Sequence, residues 1–185
     1  AVYGINYKNK INEKILESEH CKPQTMYGCN KLYCENLGFY YANYYNRLAN
    51  DYKSRIIDFR SIRFPGIISA QTIPTGGTSD FLPEMIHTIA QGKKYNCFVK
   101  KETRLPFIVM PDAISAIINL MNAHKAKLSH HVYNISAFNP SVEEFSIKIK
   151  KYFPKAKVGY SINQKRQKLV ESWPAAIDDS AARSN

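Results

Sequence analysis

A tyrosine and a lysine stand four residues apart in Gln24-Thr-Met-Tyr27-Gly-Cys-Asn-Lys31-Leu-Tyr-Cys-Glu35. On a helix that spacing puts both side chains on one face, so the phenol of Tyr27 and the ammonium of Lys31 can enter one cleft. A fixed positive charge stabilises phenolate and draws a tyrosine pKa down from its ordinary value of about 10. Such a base can take a proton from a substrate hydroxyl while a hydride leaves the same carbon. Taken alone, the pair reads first as an ordinary helix face. With 13 tyrosines and many lysines, composition predicts about one such spacing by chance.

The elements that must position this pair follow from periodicity and punctuation. Pro23 sets up entry into a helix predicted from about residue 25 to about residue 51, with Leu32, Leu37, Tyr40, Tyr41, Tyr44 and Leu48 near helical spacing. The polar stretch 5–23 before it reads as a long loop after a strand end at Val2-Tyr3. Residues 55–63 alternate as a strand does, and Pro65-Gly66 is expected to end it. A Gly- and Pro-containing loop spans 71–79, and Ser79 or Asp80 can cap a following helix. Two strands are expected at 95–99 and 107–110 with Arg104 between them. Asp112 is expected to cap a helix through 122. A strand at 131–135 follows. Ser141 and Glu144 have the spacing of a capping box and predict a helix to about residue 153. A strand at 157–162, a basic helix at 163–171 and the opening turn of another helix at 178–185 complete the chain.

Composition narrows the function classes. The chain has 185 residues, 44% of them hydrophobic and 12% aromatic, which is one or at most two packed domains and not a disordered segment. No apolar run is long enough to span a bilayer, and no basic-then-apolar signal segment opens the sequence. Cys21, Cys29, Cys34 and Cys97 show no C-x-x-C spacing and read as free thiols in a reducing compartment. His20-Cys21 has no second pair of suitable spacing, so no metal site is expected. The net charge of +11 permits nucleic-acid binding. Its lysines are scattered over several elements, however, and read as a solvated surface. No G-x-G-x-x-G occurs anywhere.

The run Pro23-Gln-Thr-Met-Tyr27-Gly28-x-x-Lys31-x-x-x-Glu35 resembles the active-site helix of the extended short-chain dehydrogenase/reductase family, which includes nucleotide-sugar epimerases and dehydratases. Asp58-Phe-Arg60-Ser-Ile-Arg63-Phe-Pro65-Gly66-Ile67, Gly76-Gly77-Thr78-Ser79-Asp80, Thr103-Arg104-Leu105-Pro106, Tyr133-Asn134-Ile135-Ser136 and Ser172-Trp173-Pro174 extend the match. In this order they resemble the NAD-dependent L-threonine 3-dehydrogenases of short-chain type. The resemblance implies the C-terminal portion of a Rossmann-type doubly wound parallel sheet plus a smaller α/β substrate domain. Residues 1–70 would belong to the cofactor domain with the Tyr-x-x-x-Lys helix. Residues 71–185 would be mainly the substrate domain, with some segments returning to the sheet.

The implied cofactor is NAD and the implied substrate L-threonine, oxidised to 2-amino-3-ketobutyrate without a metal. Tyr27 would be the base. Lys31 would tune it and hold the nicotinamide ribose. Pro65, Gly66 and Ile67 would touch the cofactor, and Thr78, Ser79, Trp173 and Arg104 the substrate. The family's catalytic Ser/Thr falls just before Ala1, and its Gly-rich half earlier still. The chain is therefore expected to be the second half of a larger enzyme, inactive alone. A homodimer and a cytoplasmic location, or the mitochondrial matrix in a eukaryote, are implied as well. Two other readings stay open: a nucleotide-sugar epimerase or dehydratase with the same Tyr27/Lys31 apparatus, and a non-catalytic basic binding module.

Overall fold

A computed structural model describes residues 1–5, 13–53 and 57–185. Part of the expected long loop (6–12) and the start of the expected strand (54–56) lie outside the described residues. The described chain alternates short strands with helices, as periodicity predicts. In order these are α1 (Met26–Asn43), β1 (Ser61–Arg63), β2 (Gly66–Ile68), α2 (Phe81–Ala90), β3 (Tyr95–Cys97), β4 (Phe107–Val109) and α3 (Met110–Asn122). After these come β5 (Val132–Asn134), α4 (Val142–Tyr152), β6 (Val158–Tyr160), α5 (Gln164–Glu171) and α6 (Ser180–Ser184).

Among the described residues the strands pair in parallel, β1 with β5, β2 with β4 and β3 with β6, and Phe107 of β4 adds an isolated antiparallel bridge to Phe138. Parallel neighbours need long crossovers, and the helices supply them. The pairs β1–β5 and β2–β4 tie residues 61–68 to strands far downstream. Segments beyond residue 71 thus return to strands before it.

The main core lies downstream of residue 68. Phe81, Leu82 and Met85 of α2, Cys97 of β3, Phe107 of β4, Val142 of α4 and Val170 of α5 are buried together. Phe81 meets the rings of Phe107 and Phe98 edge to face, 5.6 and 6.1 Å between centroids. A smaller cluster gathers Val2, Tyr3, Ile5, Ile15 and Ile177.

Two expectations are corrected. Val2-Tyr3 is not in a strand; the stretch is buried coil, with Gly4 N–H donating to His20 O and Ile5 N–H to Ser172 O. The helix α1 ends at Asn43, short of residue 51. The Asn43 side chain donates to Phe39 O, Tyr45 N–H reaches back to Tyr40 O, and Asn46 adopts a left-handed φ of 59°. Asparagine tolerates that conformation and so stops the helix. The strand before Pro65-Gly66 ends at Arg63, as expected, and Gly66 then opens a second strand, β2, and pairs with Phe107.

Local chemistry fixes the other helix starts. Thr25 caps α1 by accepting the Gly28 N–H at 3.1 Å. Ser141 and Glu144 form the complete capping box. Asp112 lies in the first turn of α3, whose cap position is Val109 and whose second residue is Pro111. The acid thus complements the helix dipole without capping it.

Candidate active site

The helix α1 presents Tyr27 and Lys31 together. The Lys31 Nζ lies 5.3 Å from the centroid of the Tyr27 ring, and both residues are exposed. Among the described residues no carboxylate pairs with the Lys31 ammonium, so its charge faces the phenol. Immediately beside Tyr27, Gly28 is buried. A Cβ there would come 2.2 Å from Ala1 O and 2.8 Å from the Pro23 side chain. The missing side chain lets α1 lie directly on the stretch that begins with Ala1.

Two helical turns past Tyr27, Glu35 anchors the same helix. Arg63 of β1 donates to both carboxylate oxygens of Glu35, at 2.9 and 2.6 Å. Both side chains are only 11% exposed. Another Arg63 nitrogen donates to the Tyr3 hydroxyl and to Glu17 O, each at 2.7 Å. The Tyr3 hydroxyl donates in turn to Asn134 Oδ1 at 2.6 Å, and Asn134 N–H donates to the Glu17 carboxylate. Burial pushes the Tyr3 phenol up to about 12, although Arg63 draws it down. Burial alone would lower the Arg63 pKa; the bonds and charges of Glu35 and Tyr3 hold it above the ordinary arginine value. A buried ion pair of this kind fixes geometry more than it adds stability. Here it fixes α1 against β1, β5 and the stretch carrying Tyr3.

The other expected site residues lie in four further places. Pro65 precedes β2, and Gly66 and Ile67 are within it. Gly66 N–H donates to Pro106 O at 3.0 Å, and a Cβ at Gly66 would meet the Phe107 ring at 2.4 Å. A glycine is therefore required here by packing alone. Thr78 and Ser79 form the turn before α2. Asp80 O accepts the Glu84 N–H at 2.8 Å, but its side chain does not cap the helix; the carboxylate accepts the Gly77 N–H at 2.8 Å instead.

Trp173 packs on the main core, and its Nε1–H is buried without an acceptor among the described residues. The neighbouring Ser172 O accepts the Ile5 N–H at 2.8 Å, which brings this segment to the stretch at the start of the chain. Arg104 is bound otherwise than by an open cleft: its guanidinium grips both Glu144 oxygens and Asn139 O. That contact holds the Glu144 carboxyl below the usual range and links the β3–β4 connection to the cap of α4.

Two surface recesses lie elsewhere. One of about 400 Å³ is lined by Leu16, Glu17, His130 and Ser180, and one of about 330 Å³ lies between α3 and α6. Neither includes Tyr27, Lys31, Thr78, Ser79 or Trp173.

A parallel α/β frame with an exposed Tyr-x-x-x-Lys face matches a known class. The model of the NAD dependent epimerase/dehydratase family matches residues 1–136, and the chain belongs to that family. Mitochondrial L-threonine 3-dehydrogenase of Bos taurus is 36% identical over 164 residues, covering 89% of this chain and 41% of that protein. An uncharacterized epimerase/dehydratase of Staphylococcus aureus is 38% identical over 163 residues, 88% of this chain and 48% of that protein. The crystal structure of L-threonine dehydrogenase from Phytophthora infestans superimposes with a TM-score of 0.84 at 36% identity, covering 99% of this chain and 56% of that one. The fold is accordingly the Rossmann-type α/β fold of these structures, and the chain spans about half the length of its relatives.

Proposed function

We propose that this chain supplies the catalytic helix and most of the substrate-binding unit of an NAD-dependent L-threonine 3-dehydrogenase. The observation that carries the reading is the Tyr27/Lys31 pair, exposed on one face of α1 with the ammonium 5.3 Å from the ring centroid. The similarity to threonine dehydrogenases supports the choice of substrate. In this reading residues 1–70 belong mainly to the cofactor domain and residues 71–185 mainly to the substrate domain, and two copies of the complete protein form a homodimer.

The residues present fit a nicotinamide cofactor: Lys31 has no carboxylate partner among the described residues and can donate to ribose hydroxyls. When bound, NAD would supply the acceptor for the hydride leaving the substrate carbon. Tyr27 takes the proton of the β-hydroxyl, so the carbon becomes a ketone. Lys31 stabilises the phenolate while this happens. Pro65, Gly66 and Ile67 border the cofactor. Thr78, Ser79 and Trp173 orient threonine, Trp173 through its unpartnered indole N–H or its ring. Arg104 contributes by holding the cap of α4 through Glu144.

The test is NADH absorbance after adding L-threonine and NAD to the complete gene product. Threonine-dependent NADH is expected. NAD binding without threonine turnover, but with conversion of a nucleotide sugar, would replace this reading with the epimerase/dehydratase one. The shared Tyr27/Lys31 face and the Staphylococcus aureus relative support that second reading.

A further inference from the structure

The turn that carries Thr78 and Ser79 is held from outside its own helix. Gly76 and Gly77 turn their carbonyls toward one nitrogen, Arg166 Nη2, which donates to each at 2.7 Å. Gly76 has φ +89° and no atom within 4 Å of a would-be Cβ. Glycine there lets the chain reverse so that successive carbonyls face the arginine. On the opposite side Asp80 accepts the Gly77 N–H and donates its own N–H to Gly77 O. The turn is thus gripped on both flanks.

Arg166 is itself fixed. Its guanidinium carbon lies 3.5 Å from the centroid of the Phe98 ring, and Phe98 is part of the main core beside Phe81. Its backbone N–H donates to Asn163, the cap of α5. The next residue, Gln167, is 2% exposed, accepts the Lys100 N–H and exchanges hydrogen bonds with Thr103. The helix α5 then runs directly into Ser172-Trp173. The Arg166 charge also acts on the Glu84 carboxyl of α2, but among the described residues no carboxylate forms an ion pair with it, and its charge-assisted bonds go to the turn. One helix therefore carries both the grip on the Thr78–Ser79 turn and the approach to Trp173.

We propose that Arg166 is a positioning residue, a latch that holds the Gly76–Ser79 turn against α5 and thereby sets Thr78 and Ser79 for the substrate. The substrate half of this statement rests on the dehydrogenase reading; the latch itself does not. A guanidinium can stack flat on Phe98 and still reach two carbonyls. Lysine keeps the charge and a donor but loses the stack.

The experiment compares the complete protein with Arg166→Ala and Arg166→Lys. The first measurement is amide hydrogen exchange over residues 71–80, which needs no activity. In Arg166→Ala the turn amides are expected to exchange about tenfold faster or more. Peptides of α2, α4 and β4 stay unchanged, and Arg166→Lys falls between. The second measurement is steady-state kinetics with L-threonine. Here KM for threonine is expected to rise roughly tenfold to a hundredfold, with kcat and the dissociation constant for NAD little changed and partial recovery in Arg166→Lys. Unchanged exchange over 71–80 overturns the latch. Faster exchange with an unchanged threonine KM overturns its role in substrate positioning. Exchange that rises equally in the core peptides would mean that Arg166 merely stabilises the fold, and also overturns it. Absence of any threonine turnover in the unaltered protein would refute the dehydrogenase reading, and the exchange result would still decide the latch.

Discussion

Helix α1 and helix α2 are built on opposite plans. The 18 residues of α1 bury only Gly28 and Ala42 and leave Tyr27, Tyr33, Phe39, Tyr40 and Tyr41 exposed. The 10 residues of α2 bury Phe81, Leu82, Pro83, Met85 and Ile89. Hydrophobic burial is non-directional and roughly additive, so α2 is held by area. The position of α1 instead depends on a few directional contacts: the Glu35–Arg63 pair and the close approach at Gly28. The face with the candidate base is thus set by geometry, and the Gly76–Ser79 turn is bonded to Arg166, which rests on the packed core.

This contrast can be broken by substitution. The largest effect on stability is expected in the core. Phe107→Ala removes a fully buried ring that meets Phe81 edge to face. It should cost about 3–5 kcal/mol in denaturant unfolding of the complete protein, and a cost near zero would mean the core is not packed as described. On the α1 side, Glu35→Ala leaves the Arg63 charge without its partner. The expected loss is about 3 kcal/mol, the lower end for breaking a buried pair, and turnover falls as α1 loosens. Full activity and unchanged stability would remove the network from the account.

A smaller effect is expected at alkaline pH. The Tyr3 phenol ionises at about 12 in the folded chain against an ordinary 10. The raised value means that its contribution to stability is intact below about pH 10 and lost as pH rises toward about 12. Unfolding midpoints measured across that window should fall less steeply in Tyr3→Phe than in the unaltered protein; parallel curves would contradict the burial of Tyr3.

Much of this was legible in the sequence where the signal is local. The Ser141–Glu144 capping box, the Asn163 helix and the strand at Val132–Asn134 follow from short-range patterns. The end of α1 was not legible, because tyrosines continue the helical spacing while Asn46 turns left-handed. Nor was β2, since Pro65-Gly66 reads as a turn until Phe107 supplies the partner strand. Tyr27 and Lys31 were readable from spacing together with the resemblance. Glu35 lay in the quoted motif, but its bond to Arg63 spans 28 residues. Arg166 is hidden in Gln164-Lys-Arg-Gln-Lys168, which looks like a solvated basic face. Only the fold lays it on Phe98.

The central claim is that Tyr27 is the base. The most direct test is Tyr27→Phe in the complete protein, with threonine-dependent NADH production and NAD binding measured side by side. The account predicts a fall in turnover of about 10²–10⁴-fold, as expected for loss of a general base, with NAD affinity nearly unchanged because Lys31 and the β2 backbone remain. Turnover close to that of the unaltered protein would contradict it.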